Sequence, residues 1–244
     1  MRGDFAECGV PVYSRNCSER SSEVSQTEKP MHRIFVDLEM HPVSDDFPDR
    51  KNIFRFETIE IGAVMLNEQH EEISSFCEFV KPMYSKEILP RYSELTGITT
   101  QMLENASHFP EVLERFVQWC AGDCIVYSWS KTDLAQVKGE CKQKGIEISP
   151  ELNAMFRGWR DFQKEFSRLV GFHRGINLQD AVNLGGLDFD GRAHDGLVDA
   201  RNTANLFRQT RDEKMFSKLK DLLVEKDNPL TFTMGDVFRI HLPE

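Results

Sequence analysis

The sequence predicts an α/β protein in which a mixed β-sheet is flanked by helices. Three strand-like segments come first along the chain, and later strands alternate with helices. That order is typical of a sheet whose faces are covered by helices. Hydrophobic residues make up 40% of the chain and charged residues 29%, which is the composition of a folded protein with a buried core.

The 244 residues divide by composition into three segments. Residues 1–30 are rich in Ser and Glu and show no apolar periodicity, so we expect a flexible N-terminal tail. Residues 31–212 hold the predicted strands and helices and form the folded domain. Residues 213–244 are predicted to form a C-terminal helix and tail, because apolar residues recur there at helical spacing: Met215, Phe216, Leu219, Leu222 and Leu223. Such a face packs on the core or on a second subunit, and the oligomeric state stays open.

The charge balance narrows the possible partners. Lys and Arg total 30 and Asp and Glu total 40, so the net charge is −10 and a broad non-specific grip on phosphates is disfavoured. An enzyme that gathers carboxylates around metal ions remains compatible with an acidic chain. No apolar run approaches the roughly 18 residues of a membrane span. With no signal-peptide pattern and six cysteines in no pairing or zinc-ligand spacing, we expect a cytoplasmic protein.

The first half of the domain is predicted to form an antiparallel meander. Three apolar or alternating segments predict its strands: HRIFVDLEM (32–40), TIEIGAVML (58–66) and ISSFCEFVKP (73–82). The stretch 41–56 contains two prolines and three aspartates, so we expect a loop with little regular structure there.

The second half is predicted to alternate helices with two strands. Apolar spacing, prolines and glycines predict helices over 85–97 (broken at Pro90), 99–106, 110–122, 132–145, 163–171, 176–186 and 193–211. The segments CIVYSW (124–129) and MFRGWRDF (155–162) are predicted to be strands.

Asp37 and Glu39 are the first candidate site residues. They are two positions apart on a predicted strand, so their carboxylates point to the same face. Two carboxylates among apolar neighbours resist burial unless something neutralises them. A divalent cation that prefers oxygen ligands, such as Mg²⁺ or Mn²⁺, would do so. Because the pattern is short and common, solvated acids at the strand end are the alternative explanation.

Two further patterns carry the remaining candidates. His194 and Asp199 can converge only if His194 stands in the loop before the last helix and Asp199 in its first turns, which puts Asp195 at the N-cap. Asp133 lies in the first turn of a helix after a strand, where an acid complements the helix dipole in any case. Asp133 is preferred to Asp123, which precedes the strand.

Taken together, these motifs resemble those of the DEDDh exonucleases, the DnaQ-like branch of the ribonuclease H-like superfamily. The strand TIEIGAVML, the segment ELTGIT (94–99) and the helix start HDGLVDARNTANL extend the resemblance over about residues 31–212. The nearest branch is that of the histone-mRNA-type 3′ exonucleases and KapD-like proteins. The resemblance implies a ribonuclease H-like fold.

The resemblance also implies a chemistry and the residues that carry it. It implies a 3′–5′ exonuclease that uses two Mg²⁺ or Mn²⁺ ions, acts on single-stranded nucleic acid, RNA favoured over DNA, and releases nucleoside 5′-monophosphates. The metal acids would be Asp37, Glu39, Asp133 and Asp199, with His194 as general base and Met40 and Leu95 against the 3′ nucleotide. Many members carry Thr soon after the DxE motif, whereas this chain has Met40-His41-Pro42. The alternative is a catalytically inactive nucleic-acid-binding or regulatory module on the same fold.

Overall fold

The computed structural model describes residues 31–120, 122–217 and 219. The predicted tail over 1–30 lies outside the described residues, and so does most of the predicted C-terminal segment. Of that segment, residues 213–217 and 219 are described and are helical.

Five strands form one mixed sheet in the spatial order β3-β2-β1-β4-β5. Their bounds are β1 His32–Pro42, β2 Phe56–Leu66, β3 Glu72–Phe79, β4 Cys124–Ser128 and β5 Arg160–Asp161. The first three strands pair antiparallel, which confirms the predicted meander. β4 pairs parallel with β1, and β5 pairs parallel with β4.

Nine helices have defined bounds within the described residues. They are α1 Pro48–Lys51, α2 Pro90–Thr96, α3 Thr100–Leu103, α4 Phe109–Trp119, α5 Lys131–Gln143, α6 Pro150–Gly158, α7 Phe162–Leu169, α8 Leu178–Leu184 and α9 Gly196–Arg211. Helices α4 to α6 supply one apolar cluster with the sheet, and α7 to α9 supply another. In the part of the chain that the structure describes, no helix is both long and apolar enough to span a bilayer.

The alternation of β1 decides which side of the sheet carries the candidate acids. Ile34, Val36 and Leu38 belong to the cluster with α4 to α6, whereas Phe35 belongs to the cluster with α7 to α9. Because successive strand residues point to opposite faces, Asp37 and Glu39 share the face of Phe35. The candidate carboxylates therefore lie on the side that α9 covers.

An aromatic cluster holds α9 and α7 against this face. Phe35 of β1 stacks on Tyr127 of β4, with ring centroids 5.1 Å apart, and contacts Phe207 of α9 at the same distance. Phe162 of α7 packs edge-on against Phe35 at 6.4 Å. Full burial of such a side chain stabilises the fold by about 1.5–3 kcal/mol. These contacts set the position of α9 relative to β1.

The predicted strand over 155–162 is wrong for most of its length. Its first residues end helix α6, and only Arg160 and Asp161 pair in β5. Helix α6 begins at Pro150, five residues before the predicted strand. Proline suits the first position of a helix, and the hydroxyl of Ser149 caps this helix by accepting a hydrogen bond from Leu152 N. Its apolar residues, Leu152, Met155 and Phe156, are buried at helical spacing.

Two predictions about prolines also need correction. Strand β1 continues through Pro42, and the short helix α1 lies inside the predicted loop over 41–56. Pro90 does not break a helix but begins α2, because a helix's first residue needs no N–H partner and suits the fixed φ of proline. Residues 85–89 are not helical.

Candidate active site

The structure brings the four candidate acids together from three elements. Asp37 and Glu39 come from β1, Asp133 from the first turn of α5, and Asp199 from the first turn of α9. Burial raises the pKa of Asp37 well above its ordinary value, and repulsion by Asp133, Glu39 and Asp199 raises it further. Each of the other three carboxylates is therefore close enough to Asp37 to disfavour its ionised form.

Asp133 is held by the backbone of β1. It is 5% exposed, and its Oδ1 accepts a hydrogen bond from Leu38 N at 3.3 Å. This amide lies beyond the end of β4, whose last pair is Val36 with Ser128. Burial raises the pKa of Asp133 to about 7. Asp123, the rejected alternative, lies at the opposite end of β1, where its carbonyl oxygen accepts from His32 N.

Glu39, His194 and Asp199 form a group of side chains that could hold a metal ion. One carboxylate oxygen or ring nitrogen from each lies within 4.8 Å of the others. Asp199 Oδ2 accepts a hydrogen bond from His194 N at 3.1 Å. Asp199 Oδ1 is buried and has no hydrogen-bond partner among the described residues. A buried, unpartnered carboxylate oxygen among other carboxylates fits a divalent cation.

The raised pKa values of Glu39 and Asp199 agree with a divalent cation at this site. Burial raises the pKa of Glu39 to about 8, and repulsion by Asp199 and Glu60 adds to the shift. Burial likewise raises the pKa of Asp199 to about 6. Oxygen ligands of this kind suit hard divalent ions, and the positive charge of such an ion would favour the ionised carboxylates.

His194 lies in the loop before α9, as predicted. Its φ of 64° is left-handed, an uncommon conformation for a residue with a side chain. The Asp195 side chain caps α9 by accepting from Val198 N at 3.0 Å, which confirms the predicted N-cap. The backbone turn at His194 and the cap at Asp195 together bring the exposed His194 ring near Asp199.

Glu60 and Gly62 on β2 also shape the site, although neither belongs to the acid motifs of the sequence. Glu60 lies opposite Glu39, and its Oε2 accepts from Gly196 N at 3.1 Å. A Cβ on Gly62 would lie 2.1 Å from the Gly196 carbonyl carbon, so only glycine permits this approach of α9. The signals available in TIEIGAVML were an acid in an apolar strand and a glycine inside it.

The two candidate nucleotide contacts lie on β1 and on α2. Met40 follows Glu39 on β1 and is partly buried, where β2 carries one extra residue, Ile59. Leu95 lies on α2 and is 45% exposed. Buried His41 links these elements, because its Nε2 accepts a hydrogen bond from the backbone N–H that precedes α2, that of Leu89, at 3.0 Å.

Comparison with known proteins identifies relatives of the whole domain. The exonuclease family RNase_T matches residues 34–207. Human ERI1 exoribonuclease 3 is 26% identical over 223 residues, which cover 84% of this chain and 64% of that protein. The 3′-5′ exonuclease Snipper of Drosophila melanogaster is 28% identical over 188 residues, 68% of this chain and 65% of that protein. The chain thus spans just under two thirds of the length of these relatives.

Solved structures show the same fold. A full-length 3′-exonuclease matches with a TM-score of 0.64 and 22% identity, over 75% of this chain and 61% of that one. The nuclease domain of 3′hExo, described as a DEDDh family member bound to rAMP, matches with a TM-score of 0.61 and 23% identity, over 74% of this chain and 91% of that one. These likenesses confirm the predicted ribonuclease H-like, DnaQ-like fold. Because the family match over residues 34–207 takes in both β1 and α9, the chain belongs to the RNase_T exonuclease family.

Proposed function

We propose that the protein is a metal-dependent 3′–5′ exonuclease that shortens single-stranded nucleic acid, RNA in preference to DNA, and releases nucleoside 5′-monophosphates. One observation carries the proposal: four carboxylates from three elements converge beside His194 in a chain of an exonuclease family. An inactive binding module would have no need for this buried, mutually repelling set of acids, which costs stability unless cations offset it.

Mg²⁺ or Mn²⁺ is the proposed cofactor, with two ions per site. Asp37, Glu39 and Asp199 would hold them directly, and Asp133 would act through coordinated water. When bound, such ions neutralise the phosphodiester and stabilise the leaving oxygen. The unpartnered Oδ1 of Asp199 supports this assignment.

His194 is the proposed general base. Its ring is exposed to solvent beside Glu39 and Asp199, so it can meet an attacking water that the carboxylates help to orient. The neutral imidazole can take the proton from that water as the water attacks phosphorus. The bond from phosphorus to the 3′ oxygen of the preceding nucleotide then breaks. The terminal nucleotide leaves with its phosphate on the 5′ oxygen.

Met40 and Leu95 are the proposed contacts of the terminal base. Both side chains are apolar, and the base of a splayed terminal nucleotide would pack against them. Apolar contacts to a base face do not distinguish sequences, so we expect little base specificity. A duplex end must first fray, which makes blunt duplexes poor substrates.

The names of relatives support RNA as the substrate. Those with sequence similarity include ERI1 exoribonucleases, and one structural neighbour is described as recognising the histone mRNA stem-loop at its 3′ end. Another neighbour, exonuclease I, is described in complex with a DNA oligonucleotide. The preference for RNA is therefore the more specific part of the proposal, because one neighbour with this fold is described with RNA and another with DNA.

The decisive experiment compares RNA and DNA oligonucleotides of one sequence, single-stranded and duplex, each labelled at either end, with Mg²⁺ and then Mn²⁺. We expect a ladder of shortened 5′-labelled products, release of the 3′ label as mononucleotide, and faster digestion of single-stranded RNA. Equal or faster digestion of DNA would overturn the RNA preference alone. Binding of the oligonucleotides without shortening would favour the inactive module.

A further inference from the structure

The loop before α9 and the first residue of that helix are tethered at alternate residues. Asp190 is held by Asn202 of α9, whose side chain accepts from Asp190 N at 3.1 Å and donates to Asp190 O at 3.0 Å. The N–H of His194 donates to Asp199, and that of Gly196 donates to Glu60. These three tethers tie the loop to its own helix and to β2.

The fourth tether, at Arg192, reaches a different element. Arg192 Nη2 donates to Glu94 O at 2.7 Å and to Leu95 O at 2.9 Å, both carbonyls in the last turn of α2. The guanidinium lies against Gly97, where a Cβ would be 2.0 Å from Arg192 Nη1. Among the tethers just described, only Arg192 joins the loop that carries His194 to the helix that carries Leu95.

The chemistry of this contact favours a stable hydrogen-bonded link between Arg192 and the end of α2. The last carbonyls of a helix have no intrahelical donors, and they form the negative end of the helix dipole. A guanidinium offers several donors in a planar, permanently charged group that can serve two such carbonyls together. Gly97, with φ 76°, ends α2 and leaves room for that group.

We propose that Arg192 is a positioning residue, which fixes the distance between the His194 ring and the nucleotide that packs on Leu95. This inference rests on the proposed exonuclease function, in which His194 accepts the proton and Leu95 contacts the base. Arg192 itself touches neither the acids nor the reacting atoms in this scheme. Arg192 affects the reaction only by fixing the position of the His194 ring.

Kinetics of Arg192→Gln, measured beside Arg174→Gln, test the inference. Arg174 is an exposed arginine without a hydrogen bond or ion pair among the described residues, so its variant controls for the loss of one positive charge. We expect Arg192→Gln to lower kcat roughly 10–100-fold, as is typical when a residue that orients a functional side chain is removed. The melting temperature should match that of Arg174→Gln, because exposed hydrogen bonds add little to global stability.

A double variant separates positioning from substrate binding. In a His194→Ala background, the same Arg192→Gln change should cost little further activity, because the group that Arg192 positions is gone. If the two losses multiply and Arg192→Gln acts mainly on KM, Arg192 binds the substrate phosphate itself and the inference is wrong. Unchanged kcat in Arg192→Gln would also overturn it.

Hydrogen exchange gives a readout that does not need activity. Arg192→Gln should speed amide exchange in the His194 loop and at the end of α2 together, while Arg174→Gln leaves both unchanged. Faster exchange in both segments would support the link even if the wild-type protein digested no oligonucleotide, a result that would refute the proposed function. Unchanged exchange in either segment would refute the link alone.

Discussion

The surroundings of Asp37 disfavour the ionised form of its carboxylate. Its carboxylate is repelled by acids from β1, α5 and α9, and burial removes the water that would otherwise screen them. Protons or cations can relieve this repulsion. Because protons would leave the site without the ionised oxygens that Mg²⁺ or Mn²⁺ requires, metal binding and proton release at these acids should be coupled.

His194→Ala tests the role of the imidazole. We expect turnover to fall by roughly 10²–10⁴-fold, the range for loss of a general base. Mn²⁺ binding, measured by titration calorimetry, should stay close to wild type, because the base does not hold the ion. Since the His194 ring lies within 4.8 Å of ligating oxygens of Glu39 and Asp199, abolished Mn²⁺ binding would instead make His194 a metal ligand.

Local spacing made part of the site predictable at the residue scale. Asp37 and Glu39 share a face because strands alternate, and the geometry of a helix start placed His194 before Asp199. Glu60 was not predictable in the same way. Its contact with Gly196 joins residues 136 positions apart and depends on how α9 crosses β2.

At the scale of elements, the close approach of α9 to β2 decides the geometry of the site. Gly62 on the strand and Gly196 at the helix start face each other without side chains. A Cβ on Gly196 would lie 3.2 Å from both Asp37 O and Gly62 N. The first turn of α9 can therefore lie almost on the sheet, which brings Asp199 to the acids of β1.

Gly62→Ala should separate the two elements. The new methyl would meet the backbone of Gly196 and Leu197 at 2.1 Å, so α9 must move and stability should fall by about 1–3 kcal/mol. Nucleotide release should fall as well, because Asp199 and His194 move with the helix. Thermal unfolding and a single-stranded digestion assay measure the two effects.

Gly139→Ala is the matched control. A Cβ there meets nothing within 4 Å, and the residue lies inside α5, so stability should rise by about 0.4–1 kcal/mol with activity unchanged. Equal stability of the Gly62→Ala variant and the wild-type protein would contradict the packing account.

Some helices and strands could be predicted from the sequence and others could not, and the reasons are physical. The meander was predictable because each of its strands has an apolar or alternating pattern. The segment 155–162 was not, because its short apolar run suits a buried strand and a helix end alike. The cap residue Ser149 and Pro150 after it are the signals in the sequence that indicate a helix beginning at residue 150.

For the whole molecule, the raised pKa values of the site carboxylates make the free energy of unfolding depend on pH and on bound metal. A carboxylate whose pKa is higher in the folded state binds its proton more tightly there, so stability falls as pH rises through the shifted range. That range runs from the ordinary value of 4.5 to about 8 for Glu39, and from 3.8 to about 6 for Asp199.

The metal-free protein should therefore lose stability between about pH 4.5 and pH 8. Divalent ions should restore it, and most strongly at the alkaline end, because there the ions compete with few protons. Melting temperatures in EDTA and in Mg²⁺, taken across this range, measure both effects. A metal-free protein whose stability rose steadily from pH 5 to pH 8 would show that the acids are not mutually repelling.

The most direct test of the central claim is the rate of nucleotide release by Asp37→Asn beside the wild-type protein, on 5′-labelled single-stranded RNA with Mg²⁺. Asparagine keeps the shape of the side chain but removes the charge that both ions would share. The account predicts loss of nearly all release from the 3′ end, with cooperative unfolding retained and the metal-free melting temperature raised as repulsion is relieved. Normal turnover by a well-folded Asp37→Asn protein would contradict it.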